Sequence, residues 1–252
     1  MAEGVPFLAL DGGRAHITTE LATVTPRFTS VADAEIRRLG ALRQAFTSGV
    51  RELGEQVAFD PSLSVDMRID EEYGFQGGKL RLGWGIPPVG PDGAEYWEIG
   101  PDGVPRRHPF RIAFWEGESF SLRTHQYGGE SADLIAMFDQ FQIRDTSEGI
   151  ILIPNEPKQT LFVKGPKILK DIPEIGLLDI YQLTERTVKE VPSHHGTPVE
   201  GGELFVDGAG TDHPFFLLVS DTSLTEILPH PRLDPIALVN QCANIVVQWE
   251  AA

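Results

Sequence analysis

SVADAEIRRLGALRQAFTSGVRELGEQV, residues 30–57, is the stretch on which the reading of the fold turns. Ile36, Leu39, Leu42, Phe46, Val50, Leu53 and Val57 recur every three or four residues, which places them on one helical face. Ser30, with Asp33 three residues on, matches a helix start: a hydroxyl that caps and a carboxylate in the first turn. Arg37, Arg38, Arg43, Arg51, Glu52 and Glu55 fall on the polar side. Gly40, Gly49 and Gly54 each weaken such a helix by about 1 kcal/mol relative to alanine, so it is expected to lie on a tertiary or subunit surface.

Outward from this stretch the period changes to two. Leu63, Val65, Met67 and Ile69 alternate with Ser64, Asp66, Arg68 and Asp70, the pattern of a half-buried strand. Leu80, Leu82, Trp84 and Ile86 do the same after the Gly77-Gly78 turn. Gly-Pro-Asp-Gly occurs at 90–93 and again at 100–103, and each copy suits a tight reversal. Phe110, Ile112 and Phe114, then Phe120, Leu122 and Thr124, predict a hairpin through Glu116-Gly117-Glu118. Short strands are predicted near 5–10 and 16–24, and again near 141–144, 149–153, 160–164, 177–183, 204–207 and 215–219. A short helix is predicted over 131–139. Asp234-Pro235, followed by the stripe Leu238, Cys242, Ile245 and Trp249, predicts a closing helix.

The fold class expected is α+β: mostly antiparallel sheet in meanders and hairpins, with one long N-terminal amphipathic helix and a C-terminal helix. A single domain over 1–252 is expected, or two packed lobes, 1–192 and 193–252, divided at the stretch Ser193–Gly202.

Charge narrows the partners. Lys and Arg number 21 against 37 Asp and Glu, a net charge of −16, and the last fifth of the chain is the most acidic. Such a field repels phosphate, so neither nucleic acid nor an anionic membrane is an expected partner. No apolar run reaches the roughly 18 residues of a membrane span. One cysteine, Cys242, and an N-terminus with Glu3 and no basic segment point to a reducing, cytoplasmic setting.

Candidate chemistry is sparse. Asp11-Gly12-Gly13-Arg14 after an apolar strand is similar, over those four residues, to the glycine turns of patatin-type lipases and sugar kinases. The Gly-x-Ser-x-Gly elbow and the Gly-x4-Gly-Lys-Ser/Thr loop that would support those chemistries are both missing from the sequence, which leaves a hairpin turn as the simpler reading. His194, His195, Asp212 and His213 form the one histidine–carboxylate grouping that a strand pairing could draw around a metal ion. Asp207 and Asp212 bracket a Gly-rich turn but lack the alternating ligands of a calcium loop. Glu116 and Glu118 could divide acid and base roles only if one were desolvated. Cys242, on an apolar stripe, reads as core.

Binding surfaces offer more. Lys158, Lys164, Lys167 and Lys170, four of the six lysines, make a positive island in an acidic chain. Ten of the 22 aromatic residues lie between Tyr73 and Tyr127, and Trp97 and Trp115 are candidate interface anchors. The preferred expectation is a non-enzymatic subunit that binds a protein partner or itself, with no cofactor. Two alternatives stand beside it. One is a metal-dependent hydrolase built on His194, His195, Asp212 and His213. The other is a carrier whose cavity is lined by Trp84, Phe110, Phe114 and Phe120.

Overall fold

The structure is a computed structural model that describes residues 5–19, 27–40, 42–50, 67–85, 98–99, 105–106, 110–127, 129–207, 215–230 and 235–252. In chain order the first strands are β1 (Val5–Leu8), β2 (Arg14–Thr18), β3 (Thr29–Ile36), β4 (Leu42–Val50), β5 (Met67–Phe75) and β6 (Gly78–Gly85). The short β7 (Glu98–Ile99) and β8 (Pro105–Arg106) precede β9 (Phe110–Glu116) and β10 (Phe120–Tyr127). Helix α1 (Ser131–Phe138) leads to β11 (Phe141–Asp145), β12 (Ile150–Pro154), β13 (Thr160–Ile172) and β14 (Gly176–Gln182). The chain closes with β15 (Thr197–Val199), β16 (Gly202–Asp207), β17 (Phe215–Val219), β18 (Ser223–Pro229), helix α2 (Pro235–Ala243) and β19 (Val246–Glu250).

The long N-terminal helix is therefore not there. The protein is mostly antiparallel sheet, and among the described residues its α-helices are two short ones. Residues 29–50 are two strands joined by a single 3-10 turn, Arg37–Leu39, which Gly40 ends in the left-handed region at φ +79°. Residues 51–57 of the expected helix lie outside the described residues. The physical reason is visible in which positions are buried. Along β3 they are Ser30, Ala32, Ala34 and Ile36, and along β4 Gln44, Phe46 and Ser48. Apart from Gly49, which is buried beside Ser48, this is a period of two written mostly in small and polar residues, which carry little hydrophobic signal. The expected closing helix is also shorter: α2 ends at Ala243, and Trp249 reaches the core from β19.

The chain divides into two compact units, Met1–Ala32 with Lys164–Ala252, and Asp33–Val163. In the second, β4, β10, β9, β6 and β5 are successive neighbours. One face carries Phe46, Leu80, Leu82, Trp115 and Leu122, all buried. Phe138 of α1 and Phe141 of β11 cover it, packing edge-on against Phe46 with ring centroids 5.7 and 5.2 Å away. Helix α1 starts in a capping box in which Asp133 accepts the Glu130 amide at 2.8 Å. Asp145 accepts the amides of Glu118 at 2.5 Å and Ser119 at 3.0 Å, pinning the β9–β10 hairpin tip.

In the first unit a small sheet, β1-β2-β19, lies beside a larger one in the order β15-β16-β17-β18-β14-β13. Strand β17 is hydrogen-bonded on both edges, and its apolar run reflects burial on both faces at its middle, Phe216, Leu217 and Leu218. Among the described residues no helix is long and apolar enough to cross a membrane.

Candidate functional site

The registers of β16, β17, β18, β14 and β13 set the side chains of one sheet face in rows. Phe205, Leu217, Glu226, Asp179 and Leu169 form one row. The adjacent row holds Glu203, Val219, Leu224, Tyr181 and Lys167. On the other side of the first row Leu228 stands across from Leu177, and Leu177 across from Asp171. The β17–β18 register brings Phe215 alongside Leu228. The opposite face, with Leu204, Leu218, Thr225, Ile180 and Ile168, is fully buried core.

Part of the first face is covered by the chain itself. Leu183 and Val191 pack on Phe205, Leu217 and Leu224. Phe215 packs half-buried against the same cluster, and beyond it Leu228 is 47% exposed with the half-buried Leu177 across from it. Acids border it, with exposed Asp171 on β13 and Glu226 two residues before Leu228. His230 Nε2 lies 2.9 Å from Asp171 Oδ1.

Between the covered and open parts runs a polar strip. Asp179, only 7% exposed, accepts from Lys167 Nζ at 2.5 Å and from the Tyr181 hydroxyl at 2.9 Å, both at Oδ2. Its Oδ1 is buried with no hydrogen-bond partner among the described residues. Burial, and then the charge of Asp179, push the Glu226 carboxyl above its usual range. The Tyr181 phenol is raised for the same two reasons, so it stays a protonated donor. A cleft of about 60 Å³ opens beside Tyr181, lined by Pro166, Gln182, Thr184, Arg186 and Glu190. Small-molecule sites run to ~300–1,000 Å³, whereas this space suits the tip of one side chain.

The residues singled out from sequence are placed as follows. His194 packs edge-on against Phe205, with ring centroids 5.6 Å apart, while His195 is fully exposed with Nδ1 4.0 Å from Glu203 Oε1. Asp212 and His213 lie outside the described residues, as do the Gly-rich turn they follow and Trp97. Among the described residues no group of three or more His, Cys, Asp and Glu could hold a metal ion. Trp115 points inward, 1% exposed, and donates through Nε1 to Phe75 O at 2.8 Å, so it is no surface anchor.

The lysine island does not form a patch. Lys158 is exposed in a turn, and the Lys164 side chain lies outside the described residues. Three positions apart on β13, Lys167 and Lys170 project to opposite faces. Lys170 is buried among apolar side chains, 1% exposed, with Nζ donating to Arg27 O at 2.6 Å. Burial holds its ammonium below the usual lysine value.

The aromatic lining is split in the same way. Registers put Trp84 and Phe120 on one face of the β10-β9-β6 sheet, and Phe110 and Phe114 on the other. Trp84 is capped by the Arg111 guanidinium 4.0 Å from its ring. At the Asp11 turn the Gly13 amide donates to Asp11 Oδ1 at 2.9 Å, and the Gly12 amide to Ala9 O at 2.9 Å, so both donors serve the turn itself. Glu116 is bound to Arg81 Nη1 at 2.7 Å. Cys242 is fully buried, and burial pushes its thiol up to about 12.

Sequence reasoning passed over Asp179, Tyr181 and Glu226. Their signal was present: a carboxylate between apolar neighbours in Leu177–Tyr181, with a phenol two residues on, and a second acid in Leu224–Leu228. A charged residue inside a strand's apolar run marks a position that needs a partner. No family model, no curated protein and no solved structure matches this chain.

Proposed function

We propose that this chain is a non-enzymatic protein-binding or assembly subunit that docks through the open part of the β17-β18-β14-β13 face. The observation that carries the reading is Leu228, 47% exposed on β18, with the half-buried Leu177 across from it on β14. Apolar centres with polar rims are the usual anatomy of a docking site. The partner is a segment of a different protein with apolar side chains flanked by Lys or Arg. Charge complementarity selects it, because exposed Asp171 borders the row and the whole chain carries −16. A second copy would bring the same acidic rim against itself. The side-chain-sized cleft beside Tyr181 suits a peptide contact better than a metabolite. A single, buried cysteine fits the cytoplasmic setting assigned with this role.

The test is peptide display panned on the whole chain, with the Leu228→Glu variant as counter-bait. The expected result is enrichment of basic-flanked apolar segments that bind the wild type and lose about tenfold or more on the variant, a change of ~1.4 kcal/mol. Because Leu228 is half-exposed, the variant keeps the wild-type melting temperature. Binders indifferent to Leu228, or no enrichment of such segments, would overturn the reading. A dimer seen by light scattering and broken by Leu228→Glu would replace the foreign partner with a second copy.

A further inference from the structure

We infer that Glu226 and Asp179 hold one proton between them, carried on Glu226 and donated to Asp179 Oδ1. Three observations lead there. The two carboxyls are direct cross-strand partners in the β14–β18 register, on the same face. Asp179 is buried, and its Oδ1 has no donor among the described residues, although a buried carboxylate oxygen ordinarily has one. Both donors within reach, Lys167 Nζ and the Tyr181 hydroxyl, are committed to Oδ2. A carboxylic O–H on Glu226 is the group that satisfies Oδ1 without bringing in a further charge.

Charge counting on this face agrees. Lys167 from β13 is the cation facing the pair. Against it stand Asp179, Glu226 and Glu190, the last from the 3-10 turn Thr187–Glu190. Tyr181 from β14 is a neutral donor, and β17 contributes only Leu217 across from Glu226. With both strand carboxyls ionised, those two charges and Glu190 face one ammonium. One bound proton leaves Lys167 and Asp179 as a matched pair beside a neutral acid.

The chemistry is a simple protonation: solvent gives a proton to the Glu226 carboxylate, and the resulting O–H is donated across the strands. Its sign is fixed. The folded state holds this proton more tightly than the unfolded chain does, because burial, and then the charge of Asp179, raise the folded carboxyl above its ordinary value. The stability it contributes is fully present below the unfolded value and is lost as pH rises through the folded one. The consequence for binding rests on the docking site proposed above, since Glu226 lies two residues from Leu228. Protonation removes one acidic group from the rim that faces the partner's basic residues.

The experiment uses the whole chain without any partner, so it fails or succeeds independently of the docking reading. The carboxyl carbon of Glu226 is followed by NMR across pH. Urea midpoints at pH 7 are compared for the wild type, Glu226→Gln and Glu226→Ala. The expected results are a Glu226 midpoint above the ordinary carboxylate range that falls back in Asp179→Asn, and a Glu226→Gln midpoint at or above wild type. Glutamine keeps a donor for Oδ1, so Glu226→Ala unfolds at lower urea than Glu226→Gln. An ordinary Glu226 titration, unmoved by Asp179→Asn, would overturn the proposal. So would a Glu226→Gln midpoint no higher than that of Glu226→Ala.

Discussion

Lys170 offers the sharpest test of where the lysines of this chain point. Its register partner on β14 is Leu178, and its Nζ lies 5.6 Å from the centre of the Phe7 ring. Truncation to alanine removes about three methylenes at ~0.8 kcal/mol each, or ~2.4 kcal/mol before any cavity is counted. The unfilled space raises the expected loss to about 2–4 kcal/mol, the range of large-to-small core changes. Lys170→Met keeps the stem volume. It gives up the bond to Arg27 O, worth about 1.5–3 kcal/mol gross. It also removes a buried ammonium whose desolvation costs several kcal/mol. The two terms nearly offset, so Lys170→Met should lie within about 1.5 kcal/mol of wild type.

Urea unfolding at constant m-value measures both variants. The wild type should also gain stability relative to Lys170→Met as pH rises toward 10.5, the unfolded value. The ammonium is depressed in the fold, and a depressed group's contribution is lost as pH falls through its folded value. Equal, near-zero effects of Lys170→Ala and Lys170→Met would refute the reasoning, because only a solvent-facing side chain behaves so.

Four further outcomes are expected. Ala34→Leu should cost about 1–3 kcal/mol in urea unfolding, since this fully buried small residue faces inward from β3; the helix reading places it off the apolar stripe and expects tolerance. Gly176→Ala should cost at least ~1 kcal/mol in the same assay, because φ is +141° and a Cβ would strike the Leu228 carbonyl. Trp115→Phe should cost about 1–3 kcal/mol by leaving Phe75 O without its indole donor. Cys242 should stay unlabelled by a thiol reagent in the native protein and react only in step with global unfolding.

Much of the sheet was legible in the sequence wherever large apolar and charged side chains alternate. Phe110 to Phe114 and Phe120 to Thr124 announce their hairpin, and the unbroken run Phe215–Val219 announces a strand covered on both faces, as its buried middle Phe216–Leu218 is. Helix α1 was equally plain, because Leu134, Met137 and Phe138 fall on one side of it. The failure came at residues 29–50. There the inward positions of β3 and β4 are filled largely by Ser30, Ala32, Ala34, Gln44 and Ser48. Local sequence showed the spacing of Ile36, Leu39, Leu42 and Phe46 instead, which happens to match a helix.

The candidate site depended still more on tertiary structure. Composition alone established that the chain is acidic, with a net charge of −16. Which lysine meets solvent and which is entombed follows from strand parity, a property of the pairing rather than of the residue. Asp179 and Glu226 are distant in sequence and meet only because β14 and β18 align in one register. An isolated carboxylate in a strand carries no mark of its cross-strand neighbour, since hydrogen bonds between strands are formed by backbone groups common to every residue.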